Sequence, residues 1–178
     1  YVVADILIPK SVCESVLKTT ASKVVELHIR KNLMGSMLAG SLRSANAHFA
    51  NMLLALYMAT GQDAANIVEG SQGYVHCETR GDDLYFSVTL PNVIVGTIGN
   101  GKHLDFAKEN LKKMGCLNPN DPDLGSCRLA AIVAGTVLCG ELSLLAAQTN
   151  PGELMRTHFS MERAPKDTEV NQPVEAEI

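Results

Sequence analysis

Five polar positions in a largely apolar chain carry groups that could do chemistry: Lys31, His48, Asn51, Asp63 and His158. His48 and Asn51 are three residues apart, so on a helix they share a face. An imidazole and an amide buried there must find hydrogen-bond partners, either in a core network or on a ligand. Asp63 sits in Gly61-Gln62-Asp63-Ala64-Ala65. An acid in that apolar setting is costly to bury unless paired, so it is either an N-cap for the next turn or an acid with a displaced pKa. Lys31 precedes a glycine-containing helix start, where it is either solvated or a fixed cation for a carboxylate. His158 lies beyond the Pro151-Gly152 break; its imidazole suits proton transfer near neutrality, or is simply a surface group. The loop Gly96-Thr97-Ile98-Gly99-Asn100-Gly101 holds three glycines that could admit a ligand close to the backbone. It lacks the G-x-G-x-x-G order and follows a hairpin, so a dinucleotide-binding βαβ turn is a poor description of it.

The elements that must position these residues follow from periodicity. Val2 to Ile8 alternates and is rich in β-branched types, which predicts a strand ended by Pro9. Ser11 and Glu14 have capping-box spacing for a short helix through Lys18, and Ser22 is placed to cap a second. Gly35 to Thr60 reads as one long helix, about 39 Å at 1.5 Å per residue, apolar or small on nearly every face and therefore buried. Tyr74 to Thr79 and Leu84 to Leu90 read as a hairpin across Arg80-Gly81-Asp82-Asp83. Asp105 to Met114 reads as an amphipathic helix stopped by Gly115. Ser126 is placed to cap a last apolar helix reaching Gln148, broken at Asn150-Pro151-Gly152. The expected fold is α+β: a long buried central helix, surrounded by helices, with a small antiparallel strand component. The expected organisation is a globular part over 1–160 and a flexible polar tail over 161–178, where prolines and polar residues lack periodicity.

Composition excludes several classes. The chain has 178 residues, 46% hydrophobic, with net charge −4 and a pI near 5.7. That argues against a nucleic-acid partner, which calls for a basic patch, although Arg30, Lys31 and Lys102 could form local anion sites. Five cysteines, Cys13, Cys77, Cys116, Cys127 and Cys139, fit no zinc spacing, so no metal is expected. They read as free thiols, four of them in apolar surroundings, in a reducing compartment. Leu129 to Gly140 is uncharged but ends at Glu141 after about 12 residues, which suits a buried helix better than a membrane span of about 20. No signal peptide is visible, and the start at Tyr1 without an initiator Met reads as an internal piece of a longer protein.

Five blocks in register resemble class I HMG-CoA (3-hydroxy-3-methylglutaryl-coenzyme A) reductases. Lys31-Asn32-Leu33-Met34-Gly35-Ser36 with Ala39-Gly40-Ser41 is similar to that family's substrate-loop and helix-start motif. Asn46-Ala47-His48-Phe49-Ala50-Asn51 followed by Gly61-Gln62-Asp63-Ala64-Ala65 resembles its central helix, and Gly96 to Gly101 its glycine-rich loop. Ala134-Gly135-Thr136-Val137 with Gly140-Glu141-Leu142-Ser143-Leu144 resembles a further signature. The likeness runs from about Val2 to Arg163.

The resemblance implies an NADPH-dependent oxidoreductase that converts HMG-CoA to mevalonate and CoA with two NADPH and no metal. It implies that the globular part belongs to the HMG-CoA-binding large domain. Asp63 matches the catalytic aspartate, and His158 the histidine that protonates the departing thiolate. Lys31 matches the lysine that holds the HMG carboxylate; Asn51 and the adjacent His48 match substrate contacts, and Leu144 an apolar wall. Ile98, Gly99, Asn100 and Gly101 match the loop that approaches the nicotinamide, and Arg163 a cofactor-contacting arginine. The family's catalytic lysine and glutamate, its Met-rich cofactor motif and its small NADPH-binding domain belong to sequence upstream of Tyr1. Asn100 stands for a glycine, Lys102 for a threonine, Gln148 for an apolar wall residue and Ala164 for a regulatory serine. The resemblance also implies a homodimer or homotetramer with its active site between subunits. It implies a cytoplasmic or cytosol-facing catalytic domain, with an endoplasmic-reticulum membrane anchor possible upstream in the parent protein. The competing expectation is a catalytically inactive helical assembly module, whose apolar surfaces would drive association.

Overall fold

The computed structural model describes residues 1–41, 43–118 and 120–162. Three antiparallel strands, β1 (Val2–Ile8), β2 (Tyr74–Arg80) and β3 (Asp83–Leu90), form one sheet in the order β1-β3-β2. The register pairs Val2 with Leu90 on one side of β3 and Tyr74 with Thr89 on the other. As the middle strand, β3 has its backbone satisfied on both edges, and its Leu84, Phe86, Val88 and Leu90 are wholly buried. The hairpin closes through Gly81 and Asp82. Gly81, at φ 63, takes the first central position, which favours glycine in two-residue loops. Asp82 reaches back to the Lys10 ammonium at 3.0 Å and Asp83 accepts from the Lys10 backbone N–H at 2.8 Å, so the turn holds the start of α1 (Lys10–Ser15).

The helical part departs from expectation at its centre. Gly35 to Thr60 is not one helix. After α2 (Ala21–Leu27) the chain runs through a wide π-helical turn (His28–Gly35) and the short α3 (Ser36–Leu38). Residues 39–41 and 43–48 are outside any helix, and α4 (Phe49–Ala59) follows. The break has an identifiable cause: other elements take the backbone groups that a continuous helix needs. Ala45 donates to Gly73 O at 3.1 Å and accepts from Val75 N–H at 2.9 Å, in a parallel bridge beside β2. The N–H groups of Ala47 and His48 go to the Glu141 carboxylate, and Gly40 adopts φ 81.

The long buried helix is instead α7 (Pro122–Gln148), about 40 Å at 1.5 Å per residue. It is apolar and long enough to cross a membrane by length and composition. Here it packs across β1, β3 and α4, burying Leu129, Val133, Ala134, Val137, Leu138, Leu145 and Ala146. The core is shared by α7, the sheet and the inner face of α4, where Phe49, Leu53 and Tyr57 are wholly buried. Each large side chain so placed contributes about 1.5–3 kcal/mol of hydrophobic stabilisation.

The helix caps also differ from expectation. Asp121, not Ser126, caps α7, accepting from Leu124 N–H at 3.0 Å with Pro122 in the first turn. Ser126 lies inside the helix and donates to Pro122 O at 3.0 Å. Thr20, not Ser22, caps α2, and α1 begins at Lys10 with no side-chain cap, so the Ser11–Glu14 box does not form. The remaining helices are α5 (Ile67–Gly70), α6 (Asp105–Lys113) and α8 (Glu153–Glu162). Met161 and Glu162 complete α8 rather than opening a tail; the rest of the expected tail lies outside the described residues. Among the cysteines, Cys13, Cys77 and Cys116 are buried, while Cys127 and Cys139 are exposed, so three rather than four sit in the interior.

Candidate active-site residues at the two ends of one helix

Helix α4 carries a cluster of functional groups at each end, and its length separates them by roughly 16 Å along its axis. At the N-terminal end the backbone donors of the first turn are met by side chains from elsewhere. Asn46 Oδ1 accepts from Phe49 N–H at 3.3 Å, while its amide donates to Ser71 O and Gly73 O, both at 3.0 Å. Glu141, on α7, accepts from Ala47 N–H at 2.8 Å and from His48 N–H at 2.5 Å. Charge-assisted bonds of this kind, at a helix start that already favours an anion, are stronger than neutral ones.

Glu141 is wholly buried. Burial pushes its carboxyl above the ordinary range, while the two backbone donors and the neighbouring His48 and Lys31 pull the other way. Lys31, half-buried on the π-helical turn, is its counterpart. Burial holds the ammonium below its ordinary value, and the Glu141 carboxylate opposes that. The His48 ring places Nε2 in the interior without a hydrogen-bond partner among the described residues. The site therefore offers a partly desolvated cation and an uncommitted imidazole nitrogen, with a carboxylate behind them. Such an arrangement can receive an anionic, hydrogen-bonding ligand. Asn51, one turn further on, is exposed on α4.

At the C-terminal end, α4 is closed by Asn110, whose amide donates to Ala59 O at 2.9 Å. The chain then turns through Gly61 at φ 66. Asp63 follows, exposed, with Oδ1 accepting from Ala65 N–H at 3.0 Å. It caps a single 3₁₀ turn (Ala64–Asn66), a role that leaves its second oxygen free of that bond. The glycine-rich loop is tied to this turn at two points. Gln62 donates to Gly96 O at 3.0 Å and accepts from Gly96 N–H at 2.9 Å, and Gly101 lies against Gly61. Lys102, next in the chain, is buried; burial holds its ammonium below the usual value, and the Asp63 carboxylate acts against that. Ile98 and Gly99 are exposed, and a Cβ on Gly96 or Gly99 would meet nothing within 4 Å. The loop thus leaves its backbone open to close approach at Gly96 and Gly99.

The structure brings Lys31 and His48 together at one end of α4, and Asp63 and Gly101 at the other. Leu144 is half-buried on α7, one turn beyond Glu141 and on the same face. His158 is half-buried on α8, its ring centroid 6.1 Å from that of Phe159. Arg163 lies outside the described residues, and Asn100 opens a 3₁₀ turn, Asn100–His103. Two site groups escaped the reading of the sequence. Glu141 stands in the sequence as the charge that ends an apolar run and within a family-like block, with no role of its own, although an acid at that place in a core helix is itself the signal. Lys102 stands in the sequence as a departure from a motif and as one cation of a possible anion site, with no link to Asp63. Among the described residues no group of three His, Cys, Asp or Glu is placed to hold a metal ion.

Comparison with known proteins bears on these clusters as a whole. The family model described as hydroxymethylglutaryl-coenzyme A reductase matches residues 1–163. The chain is 48% identical over 159 residues to a 3-hydroxy-3-methylglutaryl-coenzyme A reductase of Aeropyrum pernix, covering 89% of this chain and 37% of that protein. It is 48% identical over 170 residues to 3-hydroxy-3-methylglutaryl-coenzyme A reductase 1 of Oryza sativa subsp. japonica, covering 93% and 32%. To the reductase of Methanothermobacter thermautotrophicus it is 47% identical, covering 91% and 39%. The chain spans about a third of the length of the curated relatives it matches.

Proposed function

The chain belongs to the hydroxymethylglutaryl-coenzyme A reductase family, and from that premise we propose that it supplies substrate-binding and proton-transfer residues to an enzyme that reduces HMG-CoA to mevalonate and CoA with two NADPH. The observation that carries this reading is the continuous match over residues 1–163, which spans both clusters on α4 and the helix that bears His158.

Lys31 then holds the carboxylate of the HMG group. A half-desolvated ammonium binds an anion more strongly than a solvated one, because less water is displaced and less charge is screened. His48 and Asn51 donate to the substrate beside it, and Leu144 forms an apolar wall. NADPH supplies the hydride in each of the two reductions. Ile98, Gly99, Asn100, Gly101 and Arg163 are assigned to its binding, which the open backbone at Gly96 and Gly99 supports. Thioester reduction places negative charge on the carbonyl oxygen, which hydrogen-bonding and cationic groups stabilise. Asp63 is assigned to the acid–base network at that oxygen. When the C–S bond breaks, His158 gives its proton to the CoA sulfur, so the thiol leaves rather than the thiolate.

We further propose a dimer, or a dimer of dimers, with the active site between subunits. Exposed apolar residues such as Met37 at 70% and Leu38 at 85% support this, being surface that another chain or another part of the same protein would cover. A cytoplasmic or cytosol-facing catalytic domain is in keeping with five free cysteines.

The test is HMG-CoA-dependent NADPH oxidation by the full-length protein and its Asp63→Asn and His158→Gln variants. Activity in the parent and its loss in both variants is expected. Wild-type rates in the variants would remove the two catalytic assignments. An inactive, assembled parent would favour the helical assembly module instead.

A further inference from the structure

Glu141 takes no part in the roles above, yet it is a carboxylate with 0% exposure in the middle of an apolar helix. Ionised groups are rarely placed so unless paired and hydrogen-bonded. We propose that Glu141 is the positioning residue of the substrate-carboxylate site, holding the first turn of α4 and serving as the fixed counter-charge behind Lys31. The inference rests on the reading that Lys31 holds the substrate's carboxylate.

Three observations carry it. First, the bonds from Ala47 N–H and His48 N–H to Glu141 join segments more than 90 residues apart, so α7 sets where α4 begins. A local Ser, Thr or Asp would be the ordinary way to cap a helix, and His48 at the cap position makes no side-chain cap bond. Second, the neighbouring Gly140 admits this approach. A Cβ there would stand 2.3 Å from Met52 Sδ, 2.6 Å from Met52 Cγ and 3.4 Å from His48 Nε2. The same stretch of α7 therefore receives the His48 backbone, through Glu141, and lies beside its ring. Third, Glu141 lies close enough to act electrostatically on both Lys31 and His48, and it is the charged group that opposes the burial of Lys31. A substrate carboxylate would meet a Lys31 ammonium whose charge is favoured by a nearby anion that water does not reach.

The test uses the full-length protein and the dependence of KM for HMG-CoA on pH. Lys31→Met comes first: a large rise in KM is expected, and an unchanged KM would remove both the Lys31 reading and this inference. Glu141→Gln keeps the shape and one acceptor oxygen but not the charge. KM is expected to rise about tenfold with kcat little changed. The alkaline limb of the KM profile, where Lys31 loses its proton, should move to lower pH, because the carboxylate that opposes the burial of Lys31 is gone. Glu141→Asp keeps the charge but withdraws it from the two N–H groups; the limb should stay in place while KM rises. A merely structural role predicts losses in both variants with an unmoved limb, and that result would overturn the proposal. Wild-type KM and limb in Glu141→Gln would do the same while leaving Lys31→Met, and hence the Lys31 reading, intact. Should Glu141→Gln not fold, Glu141→Asp decides: a wild-type KM there refutes the positioning role.

Discussion

Gly61 and Gly101 meet backbone to backbone: a Cβ on Gly61 would stand 2.5 Å from both the carbonyl carbon and the carbonyl oxygen of Gly101. The turn that carries Asp63 and the glycine-rich loop are thereby one unit. Gly61 also holds φ 66, a conformation that costs most residues about 1–2 kcal/mol. Gly61→Ala is therefore expected to push the loop away from Asp63, raising the Kd for NADPH about tenfold or more, since about 1.4 kcal/mol is a factor of ten. Fluorescence titration with NADPH measures it, and an unchanged Kd would show that the contact does not hold the cofactor loop.

Lys102 follows Gly101 into the same contact and is buried as a cation. Its ammonium is disfavoured by burial more than it is favoured by Asp63, so its folded pKa lies below that of the unfolded chain. Below the folded value both states carry the proton and the full cost is present; the cost fades as pH rises toward 10.5. Lys102→Met should therefore raise stability at neutral pH, by up to about 1 kcal/mol, and lower kcat if the cation assists at Asp63. The gain should shrink as pH approaches 10. Thermal unfolding at pH 7 and pH 10, with kcat alongside, checks both parts. A destabilised variant at pH 7 would mean that the pairing with Asp63 outweighs desolvation.

Much of the fold was legible before the structure. β-Branched alternation ended by Pro9 marks the first strand, and Arg80-Gly81-Asp82-Asp83 marks the hairpin of the other two. The central helix was not legible, because periodicity reports which side chains are apolar and not where backbone donors go. Ala45 is drawn to the β2 edge and Ala47 and His48 to Glu141, partners far away in sequence. The site shows the same division. Lys31, His48 and Asp63 stand out by type, with alternatives that spacing leaves open and roles that only the resemblance implies, whereas Glu141 and Lys102 gain their meaning from what the fold buries beside them.

Leu53 tests the idea that α4 is the strut between the two clusters. It is wholly buried on the inner face of that helix, away from both clusters, and belongs to the main core. Leu53→Ala should cost about 2–5 kcal/mol of stability. Because both clusters hang on α4, KM for HMG-CoA and Kd for NADPH should rise together. Chemical denaturation and steady-state kinetics at a temperature where the variant remains folded would check this. A destabilised variant with both constants unchanged would mean that the clusters are held independently of the helix.

His28 gives the clearest pH prediction. It is buried at the start of the π-helical turn that carries Lys31, with Nδ1 bonded to Asn32 Nδ2 at 3.1 Å. Since the amide nitrogen is the donor, Nδ1 is the acceptor and the ring is neutral. Burial, with a smaller effect from the nearby His76, holds its pKa down to about 4, against 6.5 for an exposed histidine. Between those values the unfolded chain binds a proton that the folded protein does not, so stability falls as pH falls from 6.5 to about 4. The full difference is worth roughly 3 kcal/mol. His28→Gln keeps an acceptor for Asn32 and removes the titrating group, so its stability should fall less over the same window by about that amount. Denaturant midpoints for both proteins at pH 7, 5.5 and 4 decide it: converging curves at low pH support the assignment, while parallel curves would show that His28 titrates as an ordinary exposed histidine. In the wild type the acid-induced loosening should also reach Lys31, raising KM for HMG-CoA over the same window before activity as a whole is lost.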